Sequence, residues 1–364
     1  MTIEWLAGNR LRGTSAERTN TTGIGDTAGG WKEVGRTTLG SGNATIDVSS
    51  LPDKRYYMVL WQALHSGTYT QPRIRVGNGS ADSGSNYGIR YNFNGGSDSA
   101  SGSSADTGYP AWADPSTPNV PLFGNFYISN KSDKEKLGIS HTVDSNTSGA
   151  GNAPRRNEGV FKYANTSNAI DTIQLFDAGS SSFGSGSEVV VLGWDPADTN
   201  TANFWEELAS VEYSGGTALT SGSIPAKKYL WVQAYLKIAS GTVDSNLWRF
   251  NADTGNNYAA RYSRDGATDP TPNASISHMN INFGAGTRNN QLINMFIINN
   301  SANEKLVTGS GISQGASGSG TAPNRLEFAS KWANTTDQIT SIQCTQGNSL
   351  NFEAGTIMKV WGSD

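Results

Sequence analysis

Residues 125–195 and 294–364 are two copies of one stretch, and this duplication limits what the chain can fold into more than any other feature. The first copy begins NFYISNKSDKEKL and ends FGSGSEVVVLGWD; the second begins NMFIINNSANEKL and ends FEAGTIMKVWGSD. Laid over one another at a constant offset of 169, without a gap, 27 of 71 positions are identical. Glu135-Lys136-Leu137 matches Glu304-Lys305-Leu306, Ala153-Pro154 matches Ala322-Pro323, and Ala164-Asn165-Thr166 matches Ala333-Asn334-Thr335. Arg156 and Glu158 match Arg325 and Glu327. Chance does not produce such a match over this length, so any function has to be read through the repeat.

The likeness runs further upstream, with gaps. WKEVGR (31–36) pairs with WEELAS (205–210) at an offset of 174, and LPDKRYYMVLW (51–61) with IPAKKYLWVQA (224–234) at 173. DSGSNYGIRY (82–91) pairs with DTGNNYAARY (253–262) at 171. The drift is absorbed in Gly-, Ser- and Asn-rich intervals, as expected where loops take up changes that strands cannot. The organisation expected is an N-terminal arm (1–26), a first module (27–195), a short link PADTNTANF (196–204) and a second module (205–364).

Within each module the apolar residues recur with period two. Tyr57, Val59 and Trp61 alternate with Tyr56, Met58 and Leu60, a run apolar on both faces. About eight to ten such runs occur per module, near 32–38, 44–48, 55–64, 72–76, 86–92, 122–129, 135–142, 156–163, 169–176 and 187–193 in the first. Many short strands separated by turn residues predict an all-β chain of two tandem jelly-roll-like β-sandwiches. One helical turn is expected at 203–209 and in each of KYANTSN and KWANTTD.

Composition narrows the function classes. At 364 residues the chain can build two full cores. Charge is sparse at 16%, with a net of −4, which argues against a nucleic-acid surface. His65, His141 and His278 are too scattered for a zinc pattern, and the single Cys344 sits in an alternating run that buries it. No window of about 18 apolar residues predicts a membrane span, and MTIEWLAGNR does not resemble a signal peptide. No cofactor or metal is expected, and the chain reads as a protein made in a cytoplasm.

The charged identities read as scaffold. Arg156 and Glu158, like Arg325 and Glu327, are two apart and share a strand face, where they brace one another. Asp82 and Asp253 open DSGSNY and DTGNNY, which read as Asx turns with a glycine at positive φ; a calcium loop is the alternative weighed there. The Gly-rich GSGISQGASGSG (309–320) lacks a following GK[ST], and no GxSxG occurs. Binding potential lies in aromatics outside the repeat. Ile3, Trp5 and Leu6 suit an arm docked on a neighbouring subunit or platform. Tyr109 and Trp112 lie in the Pro-flanked loop YPAWADPSTP, and Tyr69 and Trp248 raise the same question.

WLAGNRLRGTSAER (5–18), FNADTGNNYAARYSRDG (250–266) and the pair GNAPRRNE/GTAPNRLE (151–158 and 320–327) resemble virion structural proteins of tailed phages of marine bacteria. The likeness covers nearly the whole chain and implies no catalytic residues. It implies a non-enzymatic protein on the outside of the particle, decorating or cementing the capsid through arm and module contacts. The expected partners are the major capsid protein or other virion proteins and sister copies, in a trimer by analogy with jelly rolls on three-fold positions. The alternative is a tail-fibre or receptor-binding protein that grips host surface glycans through loop aromatics such as Trp112.

Overall fold

The computed structural model describes residues 30–64, 67, 71–105, 107, 120–179, 181–196, 198, 203–238, 245–270, 273–283, 290–314, 319–347 and 351–364, the side chains of 101–105 excepted. In the first copy the period-two runs become β1 (Lys32–Thr38), β2 (Thr45–Val48), β3 (Tyr56–Leu64), β4 (Pro72–Gly77), β5 (Tyr87–Phe93), β6 (Ser99–Ala105), β7 (Pro121–Ser129), β8 (Lys136–Asp144), β9 (Arg155–Tyr163), β10 (Thr172–Asp177) and β11 (Glu188–Trp194). The second copy gives β12 (Glu206–Glu212), β13 (Ala218–Thr220), β14 (Tyr229–Lys237), β15 (Ser245–Phe250), β16 (Tyr258–Arg264), β17 (Asn273–Ile276), β18 (Met279–Asn282), β19 (Asn290–Ile298), β20 (Lys305–Ser313), β21 (Asn324–Trp332), β22 (Ile342–Gln346) and β23 (Ile357–Ser363). β6, of sequence SASGSSA, escapes a hydrophobic pattern because it has none; it is held by backbone pairing along the edge of β5.

Each copy folds into a large and a small antiparallel sheet. The large sheets run β1-β11-β3-β7-β8-β9-β5-β6 and β12-β23-β14-β19-β20-β21-β16-β17, the same order twice. The small sheets run β2-β10-β4 and β13-β22-β15-β18. The chain is all-β, two tandem jelly-roll-like β-sandwiches, and each has its own core between its two sheets. Tyr57, Val59 and Trp61 fill the first core, while Trp248, Phe250 and the thiol of Cys344 fill the second. Trp248 is therefore a core residue and no candidate for surface binding.

The other face of β3 explains its doubly apolar run. Met58 and Leu60 point away from the first core into a third one, shared with Tyr229, Phe296, Leu306 and Ala329 of the second sandwich. The two large sheets thus pack face to face, and the layers run small, large, large, small. The link ends inside this third core: Phe204 is buried and its N–H donates to the Trp31 carbonyl at 2.8 Å.

No α-helix occurs among the described residues, and neither the described part of 203–209 nor KYANTSN or KWANTTD forms a helical turn, which corrects the expectation. Residues 206–212 pair with β23 as an edge strand. In KYANTSN the side-chain Oδ1 of Asn165 accepts the N–H groups of Ser167 and Asn168, and Oδ1 of Asn334 does the same for Thr336 and Asp337 in KWANTTD. The side chain takes the place of the helical bond, a competition that Asn wins readily.

The Asp turns are built as expected except for their glycines. Asp82 accepts the N–H of Gly84 at 2.7 Å, the amide of Asn86 at 2.8 Å and the hydroxyl of Tyr163 at 2.9 Å. Asp253 accepts Gly255, Asn257 and the indole N–H of Trp332 at 2.8, 2.9 and 2.7 Å. Donors surround each carboxylate, an arrangement for an anion held in a turn rather than for a cation. Gly84 and Gly255 are absent from the positive-φ residues. Space is their reason, since a Cβ at Gly255 would lie 2.7 Å from the Asn257 amide nitrogen.

Candidate functional site

Among the described residues, several deeply buried ionisable groups gather where the large sheets meet. Glu188, at the start of β11, accepts the hydroxyl of the second sandwich's Tyr229 at 2.7 Å and pairs with Lys228 at 3.0 Å and Arg36 at 3.2 Å. Burial alone would raise its carboxyl, but the hydroxyls of Thr38 and Tyr229, with Lys228, outweigh that and hold it below the ordinary range. On the far side of the joint the buried ammonium of Lys331 donates to the carbonyls of Ser145 at 2.9 Å and Thr147 at 2.5 Å. Its neighbour Glu304, 3.7 Å away, accepts the Ser145 hydroxyl and the Gly149 N–H.

The third cluster surrounds Arg156. Its guanidinium pairs with Glu158 on the same strand face, as their spacing predicts. It also crosses to Asp269 of the second sandwich at 2.6 Å, where Arg261 approaches the same carboxylate at 3.5 Å. The repeated pair Arg325 and Glu327 makes its own bridge at 2.8 Å, but Arg325 stays exposed. Sequence reasoning found the pair and missed its partner. Asp269 and Arg261 occupy the positions of Asp98 and Arg90 at the offset of 171, so the same Arg and Asp recur in both copies and were available as a signal.

Beside this cluster opens a cleft of about 400 Å³. Its walls include Arg90, Asp98, Ile139 and Val160 from the first sandwich and Arg325 and Glu327 from the second. His141 faces it and is pushed down to about 4, by burial first and then by Arg156. Glu158 is pushed up to about 7: burial dominates, Glu327 and Asp269 add to it, and Arg156 opposes it. A carboxyl raised on folding binds its proton more tightly folded than unfolded, so the stabilisation is fully present below about pH 4.5 and is lost as pH rises through 7. The urea midpoint should therefore fall across that window, and Glu158→Gln should flatten this part of the profile. An unchanged slope in the variant would show that Glu158 does not titrate there.

Trp5, Leu6, Tyr109 and Trp112, the contacts expected from sequence, lie outside the described residues, as do Tyr69 and His65. Among the described residues no group of three or more His, Cys, Asp and Glu side chains could hold a metal ion. No described helix is long and apolar enough to cross a membrane.

No protein-family model matches the chain, and no curated protein does. Among solved structures, domains LG4-5 of the mouse laminin alpha1 chain align over 92% of this chain and 91% of that one, at 10% identity and a TM-score of 0.21. A score that low carries no argument about function.

Proposed function

We propose that the chain is a non-enzymatic structural protein on the exterior of a tailed-phage particle, where it decorates or cements the capsid. The observation that supports this reading best is the third core. It joins two sandwiches of modest size into one four-layer block, and the strongest polar groups at the joint are spent on holding the halves together. Such a block offers contact surface and stiffness. Its partners are then the major capsid protein or other virion proteins, and sister copies in a trimer, with residues 1–26 and one module face making the contacts. Burial of apolar surface at those contacts is little screened by salt, which suits a particle in seawater.

The alternative of glycan binding through loop aromatics rests on Trp112 and Tyr109, and no described residue adds support to those two. Deleting residues 1–26 should leave both sandwiches folded, with cooperative urea unfolding retained, while abolishing incorporation into particles. Normal incorporation of the truncated chain would refute the arm's role.

A further inference from the structure

The floor of the cleft beside Arg156 is a surface that the duplication leaves open in one copy and covers in the other. It lies on the outer face of the first large sheet, where β8, β9 and β5 run side by side. One cross-strand row is Ile139, Val160 and Arg90; the next, two residues along each strand, is His141, Glu158 and Asn92. All six line the cleft. In the second copy the same places hold Thr308, Ala329 and Arg261, then Ser310, Glu327 and Ser263. There the first sandwich lies over the patch: Ala329 is buried in the third core, and Arg261 donates to the Pro154 carbonyl at 3.0 Å. At the four places where the copies differ, the larger side chain stands in the open patch. Ile139 and Val160 are 54% and 44% exposed, and a face that met only water would have no use for the larger apolar pair.

Beside this apolar pair the polar row has hydrogen-bonding capacity that the fold does not use. The ring of His141 makes no hydrogen bond to a described residue. Burial and Arg156 push it down to about 4, so at neutral pH it brings one donor and one acceptor. Glu158 gives one carboxylate oxygen to Arg156, and the other has no described partner. Asn92 donates to the Gly96 carbonyl, while its own buried Oδ1 is left unmatched. The charges around the cleft cancel in three pairs, Arg156 with Glu158, Arg325 with Glu327 and Arg90 with Asp98. Two residues along a strand span about 7 Å and three strands about 10 Å, the footprint of a sugar ring or two. The volume of about 400 Å³ falls within the roughly 300–1,000 Å³ of small-molecule sites.

We propose that this cleft binds an uncharged saccharide, a hexose unit of a glycan, with ring C–H groups on Ile139 and Val160 and hydroxyls on His141 and Glu158. A sugar supplies both things the patch can use. Its C–H faces cover the apolar pair, and each hydroxyl donates and accepts, so one hydroxyl can give its proton to the carboxylate and accept from the imidazole. A charged ligand would meet three like charges among the three pairs, with no cluster of the opposite sign to offset them. A peptide strand would need an open backbone edge, and β8, β9 and β5 are each paired on both sides. Arg325 and Glu327 of the second sandwich add a further wall, so the site is complete only once the joint is made. The inference goes beyond the reading above: it applies to the chain wherever it sits on a particle, and it uses neither Trp112 nor Tyr109.

A glycan array carrying neutral and acidic oligosaccharides, probed with the labelled full chain, tests the site without any particle. Neutral hexose glycans should bind, and calorimetry with the strongest of them should give one site per chain. His141→Phe and Ile139→Asp should each weaken that glycan at least about tenfold. Leu292→Asp, exposed on the second sheet and outside the cleft, should leave its affinity unchanged. No bound glycan, binding confined to acidic glycans, or affinity unchanged in both cleft variants overturns the proposal. Loss of binding in Trp112→Ala but in neither cleft variant overturns it in favour of the loop. Should a cleft variant fail to fold, the methyl resonances of Ile139 and Val160 in the wild-type chain decide: shifts there on adding the glycan support the cleft, and shifts only elsewhere refute it. Particle incorporation bears on the decoration reading alone, and these binding results bear on the cleft alone.

Discussion

Arg156→Met is expected to lower the unfolding free energy by about 3–5 kcal/mol, whereas Arg325→Met should cost less than about 1 kcal/mol. The two residues occupy the same place in the repeat and each has a Glu two positions on, so identity and local spacing are matched. Their surroundings differ. The Arg156 side chain is 2% exposed and that of Asp269 is also 2%, at 2.6 Å across the joint. The Arg325 side chain is 65% exposed. Removing Arg156 leaves the carboxylate of Asp269 buried with only the more distant Arg261 for compensation, and Glu158 without its neighbour. Removing Arg325 returns Glu327 to partial hydration. Urea unfolding of both variants checks the contrast, and the double variant Arg156→Met with Asp269→Asn should recover part of the loss, since it removes the stranded charge. Equal losses at 156 and 325 would show that the bridge across the joint adds nothing to the local pair.

The strands were legible because period-two alternation is a local signal, and the order of the two sheets repeats because the sequence repeats. β3 shows where the reading stopped. Its two apolar faces are plain in the sequence, yet one face serves the sandwich's own core and the other a core made only when the copies meet. Nothing local to Met58 or Leu60 tells which partner covers them. The same holds for the charges: Glu188, Lys331 and Asp269 each find a counterpart across the joint, and such pairs leave no spacing pattern. The helical turns were misread for another reason. KYANTSN and KWANTTD do fix a turn, but the Asn side chain closes it in place of a helical backbone bond. Asymmetry between the copies is visible in the sequence at Ile139 and Val160 against Thr308 and Ala329, though not at Leu137 against Leu306, and only the folded joint shows which set is covered.

Lys136→Met and Lys305→Met should each destabilise the chain by about 3 kcal/mol or more, although both replace a buried charge by an apolar chain of similar length. The ammonium of Lys136 donates to the carbonyls of Lys134 at 2.9 Å, Asn165 at 2.8 Å and Ser132 at 3.4 Å. Lys305 repeats this with Asn303 at 2.9 Å, Asn334 at 2.9 Å and Ser301 at 3.3 Å. Two opposing effects decide the sign. Burial disfavours the charge and pushes Lys305 down to about 8, which still leaves it protonated at neutral pH, and Met would relieve that cost. Met would also strand three carbonyls that converge on one point, at about 1–3 kcal/mol for each buried group left unmatched. The second effect is larger, because the three acceptors belong to backbone that cannot turn away without breaking the β7–β8 connection and its duplicate. This ammonium ties that connection to the loop after β9 or β21, which accounts for the repeat of both EKL and ANT. Thermal unfolding of the two variants should show similar losses, with faster amide exchange at Ser167 for Lys136→Met and at Thr336 for Lys305→Met. Lys162→Met, at an exposed ion pair with Glu135, should change neither. A neutral or stabilising outcome at Lys136 and Lys305 would mean that water satisfies those carbonyls as well as the ammonium does, and that the repeated lysine has a reason outside the fold.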